Sequence, residues 1–373
     1  MKLDKNKIIF ILGILVSLVC MWLFARKIEW NHLNRALREA NYIYVLPAII
    51  ITLISFFIRT IRWSILISPV KKVSILNLFS ANMIGFMANN VLPARVGEVI
   101  RPIMIGKKEN IKLTTSIATV VMERIFDILS IITVASVILF VIPTDNIHKQ
   151  QNNSNNPKVS IKELKTHDLN DSHVTKSSTS DKVRTTGSYI IKQLKKWSII
   201  FAILGTLAIT SLFLLSIYPE KASNILKKLS FFLPHHIKDK LISFLDSFIA
   251  GLQILDNKKQ LLWIGFLSII IWLLNAAGIY VLSYSFNISL SFVAACFINI
   301  CIAIAVALPQ APGFIGVFHI AVQKSLDIFG VGLSSSQSYA IILWAISVIP
   351  VTLIGLMFLW REGISLREIT KQS

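Results

Sequence analysis

Apolar residues follow one another along this chain in runs that are too long for the core helices of a soluble protein. The runs lie at about residues 8–24, 43–67, 75–91, 114–142, 197–217, 261–284, 289–308 and 337–360. An α-helix needs ~20 apolar residues to cross the hydrocarbon core of a bilayer, and a lone segment in lipid must satisfy its own backbone hydrogen bonds. The sequence therefore predicts an all-α, polytopic membrane helix bundle of about eight spans.

The polar segments between these runs divide the chain into two membrane halves. We predict a first half at 1–142 and a second half at 190–373, joined by a loop at 143–189 that is rich in Asn, Ser, Lys and Thr. Such a composition cannot bury enough apolar surface to fold, so we expect the loop to be disordered. Residues 218–260 instead repeat apolar positions at helical spacing between charges, which predicts an amphipathic segment on the membrane interface or over the bundle.

Similar motifs interrupt the apolar runs at corresponding places in the two halves. LPARVG at 92–97 recurs as LPQAPG at 308–313, and LTTS at 113–116 is matched by LSSS at 333–336. The same order of run, motif, hydroxyl triplet and run indicates an internal duplication. Duplicated membrane folds often carry transport sites where broken helices of the two halves meet.

The prolines and glycines of these motifs predict that the helices break there. Proline removes a backbone donor, and glycine allows a tight turn or a close approach. Free peptide groups at membrane depth are tolerated only inside protein or beside a wet cavity, so we favour re-entrant segments over helices that end at the interface. The amino termini of the broken helices would attract an anionic group. The residues concerned are Pro93, Gly97, Pro309, Pro312, Gly313 and Gly316.

Charges cluster beside the first motif. Arg95, Glu98 and Arg101 are three residues apart and would share one helix face. The alternative is a solvated interfacial turn with snorkelling arginines.

A second group of charges, Glu123, Arg124 and Asp127, falls inside an apolar run, where a central charge costs about 2.5–3.5 kcal/mol. We expect these side chains to point into the bundle. They would form either a structural ion-pair network or a phosphate site that Arg124 provides.

Two weaker patterns have ordinary interpretations. Arg59, Arg62 and Trp63 end the second run, where an interfacial tryptophan with arginines that contact headgroups is the default expectation. His319 and Gln323 are four apart and would share a helix face, most simply as packed or interfacial residues.

Composition narrows the remaining possibilities. The chain has a net charge of +19. Its Lys and Arg residues lie largely in the loops that flank the runs, where anionic headgroups attract them. We therefore expect membrane lipids as partners and no nucleic acid. The three cysteines lie inside apolar runs, and the sequence predicts neither a metal site nor a cofactor. The short motifs of conventional enzymes are absent from the sequence.

With these motifs taken together, the chain resembles the lysylphosphatidylglycerol synthetase transmembrane-region family of flippase-like integral membrane proteins. The resemblance rests on Arg62 with Trp63, LPARVGEVIRP, MERIFD and LPQAPGFIGVF, and it covers nearly the full length outside the loop. These proteins look like the membrane half of the bacterial enzyme that makes and flips lysyl-phosphatidylglycerol. Two departures imply an altered or inert second site: His319 replaces a common Glu, and Trp344 stands at the position that matches Arg124.

The resemblance implies a lipid translocator in the cell (plasma) membrane for an anionic phospholipid or a polyprenyl-phosphate-linked lipid. Arginine forks suit phosphate geometrically, and carboxylates would orient them. The expected substrate-binding residues are Arg62, Arg95, Glu98, Arg101, Glu123, Arg124 and Asp127.

Two alternatives stay open at this stage. The chain could be the membrane part of a phosphatidylglycerol lysyltransferase system; in the resembled enzyme a soluble domain performs the transfer, whereas only REGISLREITKQS follows Trp360 here. It could also be an accessory subunit of a lipid-linked glycosylation pathway, with a lipid-modifying enzyme as partner. We favour a chain that is not itself an enzyme but leave catalysis open; if the chain is an enzyme, phosphatidylglycerol lysyl transfer is the expected reaction.

Overall fold

The computed structural model describes residues 18–25, 30–92, 95–141, 258–307 and 311–363, and every regular element among them is helical. Residues 18–25 form one helical segment. Short 3-10 turns occupy Tyr42–Tyr44, Tyr284–Phe286 and Pro312–Phe314. The remaining helices are α1 (Trp30–Glu39), α2 (Val45–Ile67), α3 (Ile75–Val91), α4 (Gly97–Glu109), α5 (Leu113–Val141), α6 (Lys258–Ser283), α7 (Phe292–Ala307), α8 (Val317–Ile328) and α9 (Leu333–Arg361).

The structure is a helical membrane bundle, as predicted. Three described stretches are long and apolar enough to cross a bilayer, namely Tyr42–Ile67, Lys259–Phe286 and Leu333–Arg361. Helix α5 is as long, with 29 residues, but carries three charged side chains. The predicted count of eight spans stays a prediction, because most of the first run, the run at 197–217, the loop at 143–189 and nearly all of 218–260 lie outside the described residues.

The first motif separates two helices that fold back on each other. Helix α3 ends at Val91 and α4 begins at Gly97, with Arg95 between them at a left-handed φ of 55°. Helix α4 returns along α3, and a Cβ on Gly97 would lie only 1.8 Å from the Gly85 carbonyl oxygen. The hairpin therefore needs glycine at its closest point. Pro93 lies outside the described residues.

The second motif builds a matching hairpin. Helix α8 returns along α7, where the rings of Phe297 and Phe329 meet edge to face at 5.7 Å. Between the two helices Gly313 and Gly316 have φ values of 70° and 85°, which favour glycine. Pro312 opens the 3-10 turn in this break, whereas Pro309 lies outside the described residues. Each hairpin is followed by a helix of 29 residues, α5 or α9.

Two contacts between α2 and α6 indicate a pseudo-two-fold axis between the halves. Arg62 of α2 contacts Ser268 of α6, and a Cβ on Gly278 of α6 would lie 3.7 Å from Thr52 Oγ1 of α2. A shift of 216 residues, the spacing of the two LPxxxG motifs, converts the first pair into the second. These pairs also show that α2 and α6 run antiparallel. Because equivalent helices run in opposite directions, the repeats are inverted, an arrangement known from many transporters.

Helices α3 of the first half and α9 of the second half also pack against each other in antiparallel orientation. Asn90 Nδ2 donates to Thr352 Oγ1 at 3.0 Å near one end, and Ser80 pairs with Glu362 near the other. Between these polar contacts a Cβ on Gly355 would lie 2.3 Å from Met87 Cβ. The first hairpin is thus held against the last helix of the second half.

We predict that Gly97→Ala destabilises the first hairpin. The added methyl group must displace the α3 backbone, and overpacking of this kind costs roughly 1–3 kcal/mol. The thermal midpoint of the purified protein in detergent should fall clearly. The matched control is Gly265→Ala, since nothing lies within 4 Å of a Cβ at that helical glycine. Equal midpoints for the two variants would show that the α3–α4 contact is not needed.

Candidate functional site

A fully buried arginine lies at the centre of the first half. Arg62 on α2 is 0% exposed, and its Nη1 donates to Asp127 Oδ1 and to Ser268 Oγ, both at 2.7 Å. Its Nη2 donates to Glu123 Oε1 at 3.1 Å. One guanidinium group therefore joins α2 to α5 and α6. A buried charge is tolerated when it is paired and hydrogen-bonded in this way.

Helix α4 adds a second buried arginine to this network. Arg101 Nη2 donates to Glu123 Oε2 at 2.6 Å, and its guanidinium carbon lies 4.4 Å from the centre of the Trp63 ring. Trp63 Nε1 donates in turn to Thr119 Oγ1 at 3.0 Å. The expectation of an interfacial Arg62 and Trp63 is wrong, because both side chains are fully buried. They pack there because α5 supplies the carboxylates that Arg62 needs.

Three further arginines surround the buried pair. Arg59 Nη1 lies 3.5 Å and Arg124 Nη2 3.3 Å from Asp127 Oδ2. Glu98 Oε1 lies between two other guanidinium groups, 3.9 Å from Arg124 Nη1 and 3.7 Å from Arg95 Nη1. The side chains of Arg95, Glu98 and Arg124 are each about one third exposed, so these outer pairs are looser than those at Arg62.

The charges of this network do not cancel. Five guanidinium groups meet three carboxylates, which leaves two positive charges in excess among the described side chains. Opposite charges are expected to accompany buried charges in a low-dielectric environment. The members are Arg59, Arg62, Arg95, Arg101, Arg124, Glu98, Glu123 and Asp127.

A cavity of about 270 Å³ opens beside these outer arginines, between the two halves. Arg59, Arg95, Arg124 and the carboxylate of Glu98 line it from the first half, and the second half adds apolar and neutral polar side chains. Arg62 and Arg101 do not line this cavity; they hold the carboxylates behind it. The first-half wall of the cavity thus carries three guanidinium groups and one carboxylate, a net positive charge of two.

The described part of the second half has no charges at the positions that match Arg124 and Asp127. Trp344, at the position that matches Arg124, donates from Nε1 to the Gly313 carbonyl oxygen at 2.6 Å. His319 is 5% exposed and packs between Phe24 and Trp344, with ring centroids 5.2 and 5.7 Å away. It is a packed histidine, in line with the ordinary interpretation of the sequence.

The structure gathers all seven charged residues of the sequence-based set into one network. Sequence reasoning did not include Arg59 in that set, although it stands three residues before Arg62 and therefore on the same helix face. It also missed Asn275 and Asn299, which line the cavity. Single asparagines in apolar runs were the available signal, but their position depends on how the two halves pack.

Comparison with known proteins identifies the family of this chain. A family model described as lysylphosphatidylglycerol synthase TM region matches residues 10–151 and 192–355, more than half of the chain. The chain belongs to this family. It is therefore an integral membrane protein of the lysylphosphatidylglycerol synthase TM region family, as the sequence motifs indicated.

Two relatives match part of the chain. A UPF0104 membrane protein of Methanothermobacter thermautotrophicus is 31% identical over 144 residues, which cover 36% of this chain and 41% of the relative. Glycosyltransferase AglD of Haloferax volcanii is 26% identical over 137 residues, 36% of this chain and 22% of the relative. The chain thus spans less than half the length of these curated relatives. No solved structure matches it.

We predict that Arg62→Met strongly destabilises the bundle. The substitution leaves Glu123 and Asp127 buried without their central partner, and breaking a buried ion pair costs about 3–5 kcal/mol. Reversible unfolding of the purified protein in mixed micelles measures the difference in free energy.

Lys71→Gln is the matched control, because it removes an exposed ion pair. Lys71 is 47% exposed and lies 3.0 Å from Glu109, whose pKa is lowered by hydrogen bonds from Lys71 and Asn77. Exposed pairs contribute about 1 kcal/mol or less. A loss in Arg62→Met no larger than in this control would contradict the central role of Arg62.

Proposed function

We propose that the protein translocates lipids with anionic headgroups across the cell membrane. The observation that carries the proposal is the cavity between the inverted halves, where three arginines with ion-pair distances of 3.3–3.9 Å share one wall with a single carboxylate, Glu98. Its excess of positive charge favours a phosphate group, and guanidinium forks match phosphate oxygens geometrically. The acyl chains of the lipid would stay in the surrounding bilayer.

Arg95 and Arg124 are the main phosphate ligands in this proposal. Both side chains are about one third exposed, and both pair with Glu98 only at 3.7 and 3.9 Å, so a phosphate can compete for their donors. Glu98 holds the two guanidinium groups near each other when the cavity is empty of substrate. Arg59 adds a third positive charge from α2.

The buried residues act as positioning residues. Arg62 and Arg101 fix Glu123, and Arg62 also fixes Asp127, which in turn holds Arg59 and Arg124 at the cavity. Preorganised donors bind an anion without first having to be ordered. The pseudo-two-fold axis supports a mechanism in which one half rocks against the other around a fixed site.

The substrate class follows from this chemistry only as far as the phosphate. An anionic phospholipid and a polyprenyl-phosphate-linked lipid share that group, and both are candidates. The family description names a lysylphosphatidylglycerol synthase and one relative is named a glycosyltransferase, so an enzymatic role is the second candidate. The outer arginines and the cavity support lipid binding without assigning catalysis to any described residue.

We expect Arg95→Gln and Arg124→Gln to slow lipid translocation at least tenfold, because each loses a charged hydrogen-bond donor worth roughly 1.5–3 kcal/mol. Asp127 keeps Arg59 and Arg62 when Arg124 is replaced, so these variants should fold. Liposomes with trace fluorescent phosphatidylglycerol or polyprenyl phosphate, and a membrane-impermeant quencher, report the rate. Lys71→Gln serves as a control of similar charge change.

Two results would contradict the proposal. One is equal transbilayer movement of both lipids with folded protein and with empty liposomes; the other is movement that neither arginine variant changes. A parallel assay of lysine transfer from charged tRNA to lipid tests the enzymatic alternative. Labelled lipid that depends on this chain alone would assign a transferase instead.

A further inference from the structure

The cavity contains positions from both halves that are equivalent under the pseudo-two-fold axis. The shift of 216 residues carries Arg59 onto Asn275 and Phe56 onto Trp272, and all four residues line the cavity. The spacing of LTTS and LSSS, 220 residues, likewise carries Asp127 onto Ser347. The second half thus has Asn275 at the position equivalent to Arg59, an amide for a guanidinium group. It has Ser347 at the position equivalent to Asp127, a hydroxyl for a carboxylate.

This neutral wall has hydrogen-bonding groups that other described residues leave free. Trp272 is 7% exposed, and its buried Nε1 has no hydrogen-bond partner among the described residues. Asn299 Nδ2 donates to the Trp272 carbonyl oxygen at 3.1 Å, which leaves the Asn299 side-chain oxygen as an acceptor. Buried polar groups in native proteins are nearly always paired, so an unpaired indole N–H beside a cavity points to a ligand or ordered water there.

The positions of these residues along α2 and α6 place the neutral groups of α6 beyond the level of Arg59. Ser268 of α6 contacts Arg62, and Trp272 and Asn275 lie four and seven residues further along α6, about 6 and 10 Å at 1.5 Å per residue. Arg59 lies about 4.5 Å from Arg62 in the same direction, because α2 and α6 are antiparallel. The backbone of Asn275 therefore lies about 6 Å beyond that of Arg59 along the helix axes, a rise comparable to the length of a glycerol unit or a hexose ring.

We propose that Trp272, Asn275 and Asn299 form a neutral subsite for the hydroxyl groups of a polyol headgroup. The inference rests on the proposed binding of an anionic lipid: the arginine wall holds the phosphate, and the opposite wall reads the glycerol or sugar beyond it. Amide groups and an indole N–H suit hydroxyls, which both donate and accept. A headgroup without hydroxyls would leave these groups unpaired and would bind more weakly.

The test compares two lipids of equal charge, phosphatidylglycerol and phosphatidylmethanol with identical acyl chains. Each unlabelled lipid displaces fluorescent phosphatidylglycerol from the purified full-length protein in detergent. One or two hydrogen bonds predict that phosphatidylglycerol binds roughly 3- to 30-fold more tightly to the wild type. In Asn275→Leu and Asn275→Ala this preference should fall to about half or less, because one hydrogen-bonding group is lost while Trp272 and Asn299 remain. Phosphatidylmethanol should bind as before, which also shows that the fold is intact.

Arg124→Gln distinguishes failure of the subsite from failure of the proposed function. It should weaken both lipids by the same factor and keep the preference. Equal affinities in the wild type, or a preference that both Asn275 variants retain, would overturn the subsite alone. Absence of binding, or affinities for both lipids that Arg124→Gln leaves unchanged, would overturn the anionic site and the subsite together.

Discussion

The guanidinium group of Arg62 is the interaction on which the rest of the structure depends. It is fully buried and binds Glu123, Asp127 and Ser268, so it joins α2, α5 and α6 at one point. Through Glu123 the same network reaches Arg101 and helix α4. Removing one member leaves uncompensated charge in a low-dielectric interior, which explains why the members must occur together.

The two halves share an arrangement of helices but contribute different side chains to the site. Both halves form a hairpin of two helices at a proline and glycine motif, followed by a helix of 29 residues. Among the described residues, the buried charged side chains lie in the first half. In the second half Trp344 donates a hydrogen bond to the Gly313 carbonyl oxygen and so stabilises the turn between α7 and α8. The cavity between the halves is consequently polar in two different ways, with charged side chains in net positive excess on one side and neutral polar groups on the other.

Much of this fold could be predicted from the sequence, because lipid imposes strong rules on apolar runs. The runs that lie among the described residues coincide with helices, and both motifs separate helices. The inversion of the repeats could not be predicted, since it depends on contacts such as that of Arg62 with Ser268, 206 residues apart. For the same reason, the sequence did not predict which arginines are buried and which line the cavity. Helical spacing shows which side chains share a face but not what that face meets.

The measurement that tests the central claim most directly is an experimental structure of the full-length protein in nanodiscs that contain phosphatidylglycerol. The account predicts a lipid headgroup between the two halves, with its phosphate within hydrogen-bond distance of Arg95 and Arg124, its polyol beside Asn275 and its acyl chains directed into the bilayer. A cavity that holds only water, with Glu98 still between the two arginines and ordered lipid bound elsewhere on the protein, would contradict it.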